Sequence, residues 1–321
     1  MKIAILDSNT LGYADEVWDG LKQYGEVKIA NFGSTNTKQD VIDFLQGEEV
    51  LFTNKISIDK EIMDACKDLK YIHVLATGYN IIDTDYAKEK GIIVTNVPSY
   101  STMSVCQTAI GLLLEVCNRI GYHDKTVHDG RWALSKTFSY WDFELTELDG
   151  KTFGIIGLGT IGKVVAKVAA DFGMKVIAYS PHPSEEGAKV AEYVSLDELF
   201  ARADVISLHC KLTEETKNLI NKDTIAKMKD GVILINTARG QAINEADVAE
   251  ALKSGKMGGA GIDAVTREPI AADNPLLTAP NCVITPHIGW TTKEARGRLI
   301  DITYDNIKNY AEGTPINVVN K

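Results

Sequence analysis

From its first residues the chain alternates short apolar runs with segments of helical period, a pattern that few folds satisfy. Over residues 1–98 the runs KIAILD, VKIAN, VLFTN, YIHVLAT and GIIVTNV are separated by stretches such as residues 59–67. Runs of this length between helical segments predict an α/β fold with parallel strands, each followed by a helix that covers the sheet. Pro98 interrupts the pattern. Residues 99–119 then read as one long helix whose apolar stripe runs through Val105, Ala109, Leu112, Leu113 and Val116 to Ile120. A second block alternates again through FGIIGL, KVIAYS, VISLHC, VILINT, GAGIDA and CVITPH. Ser195 with Glu198 predicts a capping box, and Asn244 opens a further helix. A last helix opens at Thr291 with Glu294, runs towards Tyr310 and ends by Gly313 and Pro315. At 321 residues the chain exceeds the ~250–300 at which one core stops growing. The reading is therefore two domains: residues 1–98 completed by 289–321, and residues 99–288.

Charge narrows the choice of partner. With 34 Lys and Arg against 44 Asp and Glu, the net charge of -10 argues against binding nucleic acid or an anionic membrane through a basic surface. An anionic substrate would need a local cation. The apolar run that begins at Met1 is too short for a signal peptide or a membrane span and has the shape of a first strand. Cys66, Cys106, Cys117, Cys210 and Cys282 are scattered, odd in number and without a CxxC pair. That usage fits buried reduced thiols in a cytoplasmic protein, with no disulfide framework and no metal site.

Gly157-Leu158-Gly159-Thr160-Ile161-Gly162 follows an apolar run and opens a helical stretch. Between a strand and a helix this spacing predicts dinucleotide binding. The first glycine permits the turn, the second lets the backbone approach a pyrophosphate, the third allows close helix packing, and the helix start supplies amides. About 20 positions on, where an acid usually receives the ribose hydroxyls of NAD, stand Ser180, Pro181 and His182. No carboxylate repels a 2′-phosphate there and no arginine binds one, so NAD and NADP both remain open. His73 lies inside an apolar run and reads as core; His209 ends a strand beside the glycine loop.

Three further strand-end motifs join these: Thr237-Ala238-Arg239-Gly240 after VILIN, Arg267-Glu268-Pro269 after GAGIDAV, and Pro286-His287-Ile288-Gly289 after CVIT. With them the chain resembles the D-isomer-specific 2-hydroxyacid dehydrogenases over essentially its whole length. The resemblance implies two doubly wound parallel-sheet domains, a Rossmann cofactor domain and a flavodoxin-like substrate domain, with a cleft between them. It implies Arg239, Glu268 and His287 as catalytic residues and Ala76, Thr77 and Gly78 as a loop whose amides receive the substrate carboxylate. It also implies that His209, Cys210, Lys211, Thr216, Thr237, Ala238, Arg239, Asp263, His287 and Gly289 join the glycine loop and Ser180 in holding NAD or NADP, with Arg239 and His287 binding substrate as well. The chemistry agrees: reducing a keto acid needs a cation to hold and polarise it and an acid to protonate the developing alkoxide.

Residues 138–143 and 147–152, with Glu294-Ala295-Arg296, are most similar to bacterial glycerate dehydrogenases, the hydroxypyruvate reductases, which points to hydroxypyruvate or glyoxylate as substrate. Lys211 stands where the family often has proline, and Gln107 where many members have glutamate. A D-lactate or D-3-phosphoglycerate dehydrogenase and a dinucleotide-sensing, co-repressor-like protein stay open as alternatives. Trp132, Phe138, Tyr140, Trp141 and Phe143 crowd a stretch without clear period, from which a homodimer around residues 99–150 is expected.

Overall fold

The computed structural model describes every residue of the chain except Ser34. The chain forms two compact units, Met1–Ser101 with Thr291–Lys321, and Thr102–Trp290. In the first, strands β1 (Lys2–Ile5), β2 (Glu26–Ile29), β3 (Val50–Thr53), β4 (Tyr71–Val74) and β5 (Ile93–Thr95) make a wholly parallel sheet of order β2-β1-β3-β4-β5. All residues of β3 and β4 are buried, as expected for central strands covered on both faces. Side-chain caps start the connecting helices: Thr37 in a reciprocal box with Asp40, Asp59 accepting from the Ile62 amide, and Asp83 from that of Tyr86. The edge strand β5 is covered by the chain's own tail, where Thr95 bridges Val318 antiparallel and the Val319 amide donates to Val94.

The second unit adds β6 (Thr152–Ile156), β7 (Lys175–Tyr179), β8 (Glu192–Tyr193), β9 (Val205–Leu208), β10 (Val232–Asn236), β11 (Met257–Ile262) and β12 (Cys282–Ile284) in the order β12-β11-β10-β9-β6-β7-β8. Its strands alternate between two cores. Phe153, Ile155, Val205, Ile233 and Ile235 pack on one face with Leu112, Leu113 and Val165. Ile156, Ile206, Leu208 and Leu234 pack on the other with Leu199, Phe200 and Val248. This is the period of two expected along a strand. The chain winds outward in one direction from β6 and in the other from β9. Those two neighbours mark the reversal of strand order, where open parallel sheets bind ligands beyond their carboxyl ends.

Several local expectations needed correction. The long helix spans Thr102–Asn118 and stops at Arg119, whose φ of 52° is left-handed; a second helix, Ile120–His128, follows. Ile120 thereby leaves the apolar stripe and is 58% exposed. Thr292, not Thr291, caps the last helix, Lys293–Ala311. At Ser195 only half of the capping box forms, because Glu198 pairs with Arg202 instead. Cys66, Cys106 and Cys117 are buried, while Cys210 and Cys282 are only half-buried. Among the described residues no helix is long and apolar enough to cross a membrane.

Candidate active site

The chemistry-bearing residues of the second unit gather where its strands end. The turn after β6 begins at Gly157, whose φ of 98° suits glycine and whose absent side chain leaves room for the Cys210 backbone, 2.6 Å from where a Cβ would sit. Gly159 caps the helix Thr160–Asp171, and a Cβ there would meet nothing within 4 Å. Gly162 is buried in that helix, Thr160 is exposed and Ile161 half-buried. The Gly157 amide donates to Tyr179 of β7, which brings half-buried Ser180 to the neighbouring strand end.

After β9 the chain folds into a loop that Thr216 ties down, its hydroxyl donating to the Lys211 carbonyl and accepting from the Thr213 amide, both at 2.7 Å. His209, Cys210, Lys211 and Thr216 therefore share one loop beside the glycine turn. His209 Nε2 lies 2.8 Å from Ser207 Oγ, and burial holds its imidazole down at about 4, so the ring is neutral around pH 7. Lys211 is exposed.

Arg239 is placed by a residue that the sequence reading passed over. Buried Asn236, the last residue of β10, accepts from the Ala238 amide and donates to the Arg239 carbonyl, fixing the turn from both sides. A guanidinium nitrogen of Arg239 donates to the Ala238 carbonyl at 2.7 Å. Gly240 then runs against the loop after β11 so closely that a Cβ would lie 1.9 Å from the Val265 carbonyl carbon. Gln241 donates to the Thr266 carbonyl, while Glu245 accepts from the Thr266 amide and the Asn274 side chain. These contacts lock the Arg239 turn to the segment that carries Glu268. A polar Asn ending an apolar strand was the available signal for Asn236; for Glu245 and Gln241 spacing offered none.

Glu268 and His287 come together although 19 residues apart. Both carboxylate oxygens of Glu268 approach His287 Nδ1, at 2.9 and 2.8 Å, with the two side chains 36% and 27% exposed. His287 itself has a left-handed backbone, φ 55°, which is uncommon outside glycine and is sustained here by dense bonding. Buried Asp263 accepts from Thr285 Oγ1 and the amides of Ile288 and Gly289 at 2.6, 2.9 and 2.8 Å, and Ser104 Oγ donates to the Gly289 carbonyl. The turn cap is thus the role of Asp263 visible in the geometry. The whole constellation can orient an imidazole by its Nδ1 against a carboxylate, on a segment tied to the turn that carries Arg239.

The first unit carries Ala76, Thr77 and Gly78 just after β4. Thr77 Oγ1 donates to the Val97 carbonyl, Asn96 donates to the Thr77 carbonyl, and the Val97 amide donates to Ala76. The loop is held, with Thr77 exposed and Ala76 and Gly78 half-buried.

Two observations speak to a dinucleotide in the second unit. The space before Gly159 is open at a helix start whose first amides need acceptors. Thr237 Oγ1, at the end of β10, is buried and among the described residues has no hydrogen-bond partner, which an added ligand would supply. The donor set fits.

Comparison with known proteins gives the same picture. Residues 110–289 match the family described as D-isomer specific 2-hydroxyacid dehydrogenase, NAD binding domain. A hydroxypyruvate reductase of Blautia hydrogenotrophica is 47% identical over the full length of both chains. Among solved structures, D-lactate dehydrogenase from Aquifex aeolicus with NAD and lactic acid superposes with a TM-score of 0.87, 30% identity and coverage of 100% and 99% of the two chains. An acyclic imino acid reductase in complex with NADPH and D-Arg gives 0.88, 31%, and 99% and 100%.

Proposed function

Because the chain belongs to the D-isomer specific 2-hydroxyacid dehydrogenase family, we propose that it reduces hydroxypyruvate to D-glycerate, and glyoxylate to glycolate, through Arg239, Glu268 and His287. The observation that carries this reading is the grip of both Glu268 oxygens on His287 Nδ1. It leaves Nε2 as the nitrogen that gives its proton to the substrate oxygen. Arg239 forks its guanidinium to the carboxylate and carbonyl oxygens, holding the substrate and stabilising charge as it develops. Ala76, Thr77 and Gly78 of the first unit, the substrate domain in this reading, receive the carboxylate with their amides.

The second unit is the cofactor domain. A nicotinamide dinucleotide, when bound, supplies the hydride. Gly157, Gly159, Thr160, Ile161 and Gly162 would hold its pyrophosphate and Ser180 its adenosine ribose. His209, Cys210, Lys211 and Thr216 would line the groove, with Thr237, Ala238, Asp263 and Gly289 at the nicotinamide end. The Asp263 oxygens already anchor the His287 turn but retain lone pairs for a carboxamide. With Ser180 in place of an acid, no carboxylate at that position repels a 2′-phosphate, and assays with both NADH and NADPH decide between them. The free cysteines support a cytoplasmic setting.

The protein acts as a homodimer in this reading. The stripe of the helix Thr102–Asn118 is used up against its own sheet, but beyond it Trp132, Leu134, Phe138 and Trp141 are 52%, 85%, 91% and 65% exposed. Such apolar area is unusual on a monomer. Sedimentation should show a dimer that Trp141→Ala with Phe138→Ala weakens by tenfold or more; a monomeric native protein contradicts it.

The activity is tested by NADH and NADPH oxidation with a panel of 2-keto acids. Turnover should be highest with hydroxypyruvate. Bound dinucleotide without turnover on any of them would support a sensing role instead.

A further inference from the structure

Three asparagines of the first unit form a chain of hydrogen bonds that ends at residues 76–78. Asn306, buried in the helix Lys293–Ala311, donates through Nδ2 to the Asn96 carbonyl at 2.9 Å and accepts at Oδ1 from the Asn317 side chain at 2.8 Å. Asn96, buried one residue beyond β5, gives its backbone amide to the Asn317 carbonyl and its Nδ2 to the Thr77 carbonyl at 2.7 Å. The last helix and the tail thus clamp Asn96 at both backbone groups, which fixes the origin of its side chain. Buried amides cost desolvation that apolar side chains of the same size would not. The carbonyls held here lie beyond the strand ends, where no ladder supplies their partners.

Peptide geometry passes this hold on to the loop's donors. In a planar trans peptide the carbonyl and the following N–H point in opposite directions. The Val97 amide donates to the Ala76 carbonyl at 3.0 Å, which turns the Thr77 N–H away from residues 96 and 97. Asn96 holds the Thr77 carbonyl, which turns the Gly78 N–H away from the same segment. Thr77 Oγ1, bonded to the Val97 carbonyl at 2.8 Å, fixes the residue between the two peptides. Neither the Thr77 amide nor the Gly78 amide has a hydrogen-bond partner among the described residues. Two unspent donors therefore leave the loop on one side, and the aim of the second depends on the Asn96 side chain.

We propose that Asn96 and Asn306 are positioning residues for substrate binding: Asn306 in the last helix holds Asn96, and Asn96 holds the Thr77 carbonyl so that the Gly78 amide meets the substrate carboxylate. The proposal rests on the reductase reading above, in which residues 76–78 receive that carboxylate, and adds the residues that aim them. Because this bond acts on the carboxylate and not on the reacting carbonyl, it contributes equally to the bound substrate and to the transition state, so its loss appears in KM.

The test measures kcat and KM for hydroxypyruvate, at saturating NADH or NADPH, in the native enzyme, Asn96→Asp, Asn96→Ser, Asn306→Ser and Thr303→Val. Asn96→Asp keeps the shape and exchanges the donor for an acceptor, and Asn96→Ser shortens the side chain without adding charge. KM should rise about tenfold or more in both, with kcat within about threefold of native and dinucleotide affinity unchanged. Asn306→Ser should raise KM in the same way by a smaller factor, about threefold. Thr303→Val is the control for structure alone: it removes the 3.1 Å bond between the same helix and His73 Nε2 without touching Asn96, and should leave KM at the native value. Native KM in whichever Asn96 variant folds, or a rise in Thr303→Val equal to that in Asn306→Ser, would overturn the proposal while leaving the reductase intact. A native enzyme that turns over no 2-keto acid would overturn the reductase reading and this inference with it.

Discussion

Two histidines of this chain are held by hydrogen bonds, yet their surroundings give them opposite work. His73 lies wholly buried in β4, its Nδ1 2.8 Å from Thr95 Oγ1 and its Nε2 3.1 Å from Thr303 Oγ1. Tyr71 joins the same set by accepting from Thr95, and Asn306 extends it to the Asn96 carbonyl. Every partner is neutral, and burial drives the His73 imidazole down to about 3. His287 keeps 27% of its side chain exposed and sets Nδ1 against a carboxylate. Burial among hydroxyls makes an imidazole a neutral strut, here pinning the helix Lys293–Ala311 to β4. A carboxylate on one nitrogen and access to the other make it a proton donor.

The largest effect that could break this contrast is expected on the chemical side. Arg239→Ala should cost about 10³-fold in kcat/KM on the best 2-keto acid, since its charge-assisted bonds strengthen as the carbonyl polarises. Dinucleotide affinity, measured by fluorescence titration, should change little. Near-native kcat/KM would remove Arg239 from the site.

On the structural side, protons should act on His73 through stability. Its folded value, about 3, lies below the ~6.5 of an unfolded histidine, so the unfolded chain binds the proton more readily between those values. The stabilisation is complete above pH ~6.5 and declines as pH falls towards 3, by on the order of 2 kcal/mol at pH 5. Urea unfolding at pH 7 and pH 5 should show a smaller acid loss in His73→Gln than in the native protein. Equal losses would mean that His73 does not carry this dependence. His209 titrates in both proteins and cancels in the comparison.

A smaller effect concerns cofactor choice, at a distance from both histidines. Ser180→Asp should raise the preference for NADH over NADPH by roughly tenfold, because a carboxylate bonds ribose hydroxyls and repels a 2′-phosphate. Equal changes with both cofactors would place residue 180 away from the ribose.

The sequence disclosed most where information is local. A glycine spacing between a strand and a helix, apolar runs of strand length and polar N-caps all act within a few residues, so both parallel sheets and the glycine turn were legible. Resemblance supplied the order Arg239, Glu268, His287, and folding brought Glu268 against His287. Features set by distant partners were not legible. The helix break at Arg119 leaves no proline or glycine at the break itself, and the covering of β5 by Val318 and Val319 rests on a pairing more than 200 residues apart. Asn236, Glu245 and Ser104 support the site through bonds that no period announces. Thr292 took the cap expected of Thr291 because either residue could begin the helix, and only the chain's approach decides between two adjacent threonines.

The pairing of Glu268 with His287 is the central claim, and the pH profile of keto-acid reduction in Glu268→Gln tests it most directly. Reduction requires protonated His287, so activity should fall on the alkaline side in both proteins. A neutral amide no longer stabilises the imidazolium, so the alkaline limb should move to lower pH in the variant. A limb that stays in place, with the native enzyme active on the same substrate, would contradict the pairing.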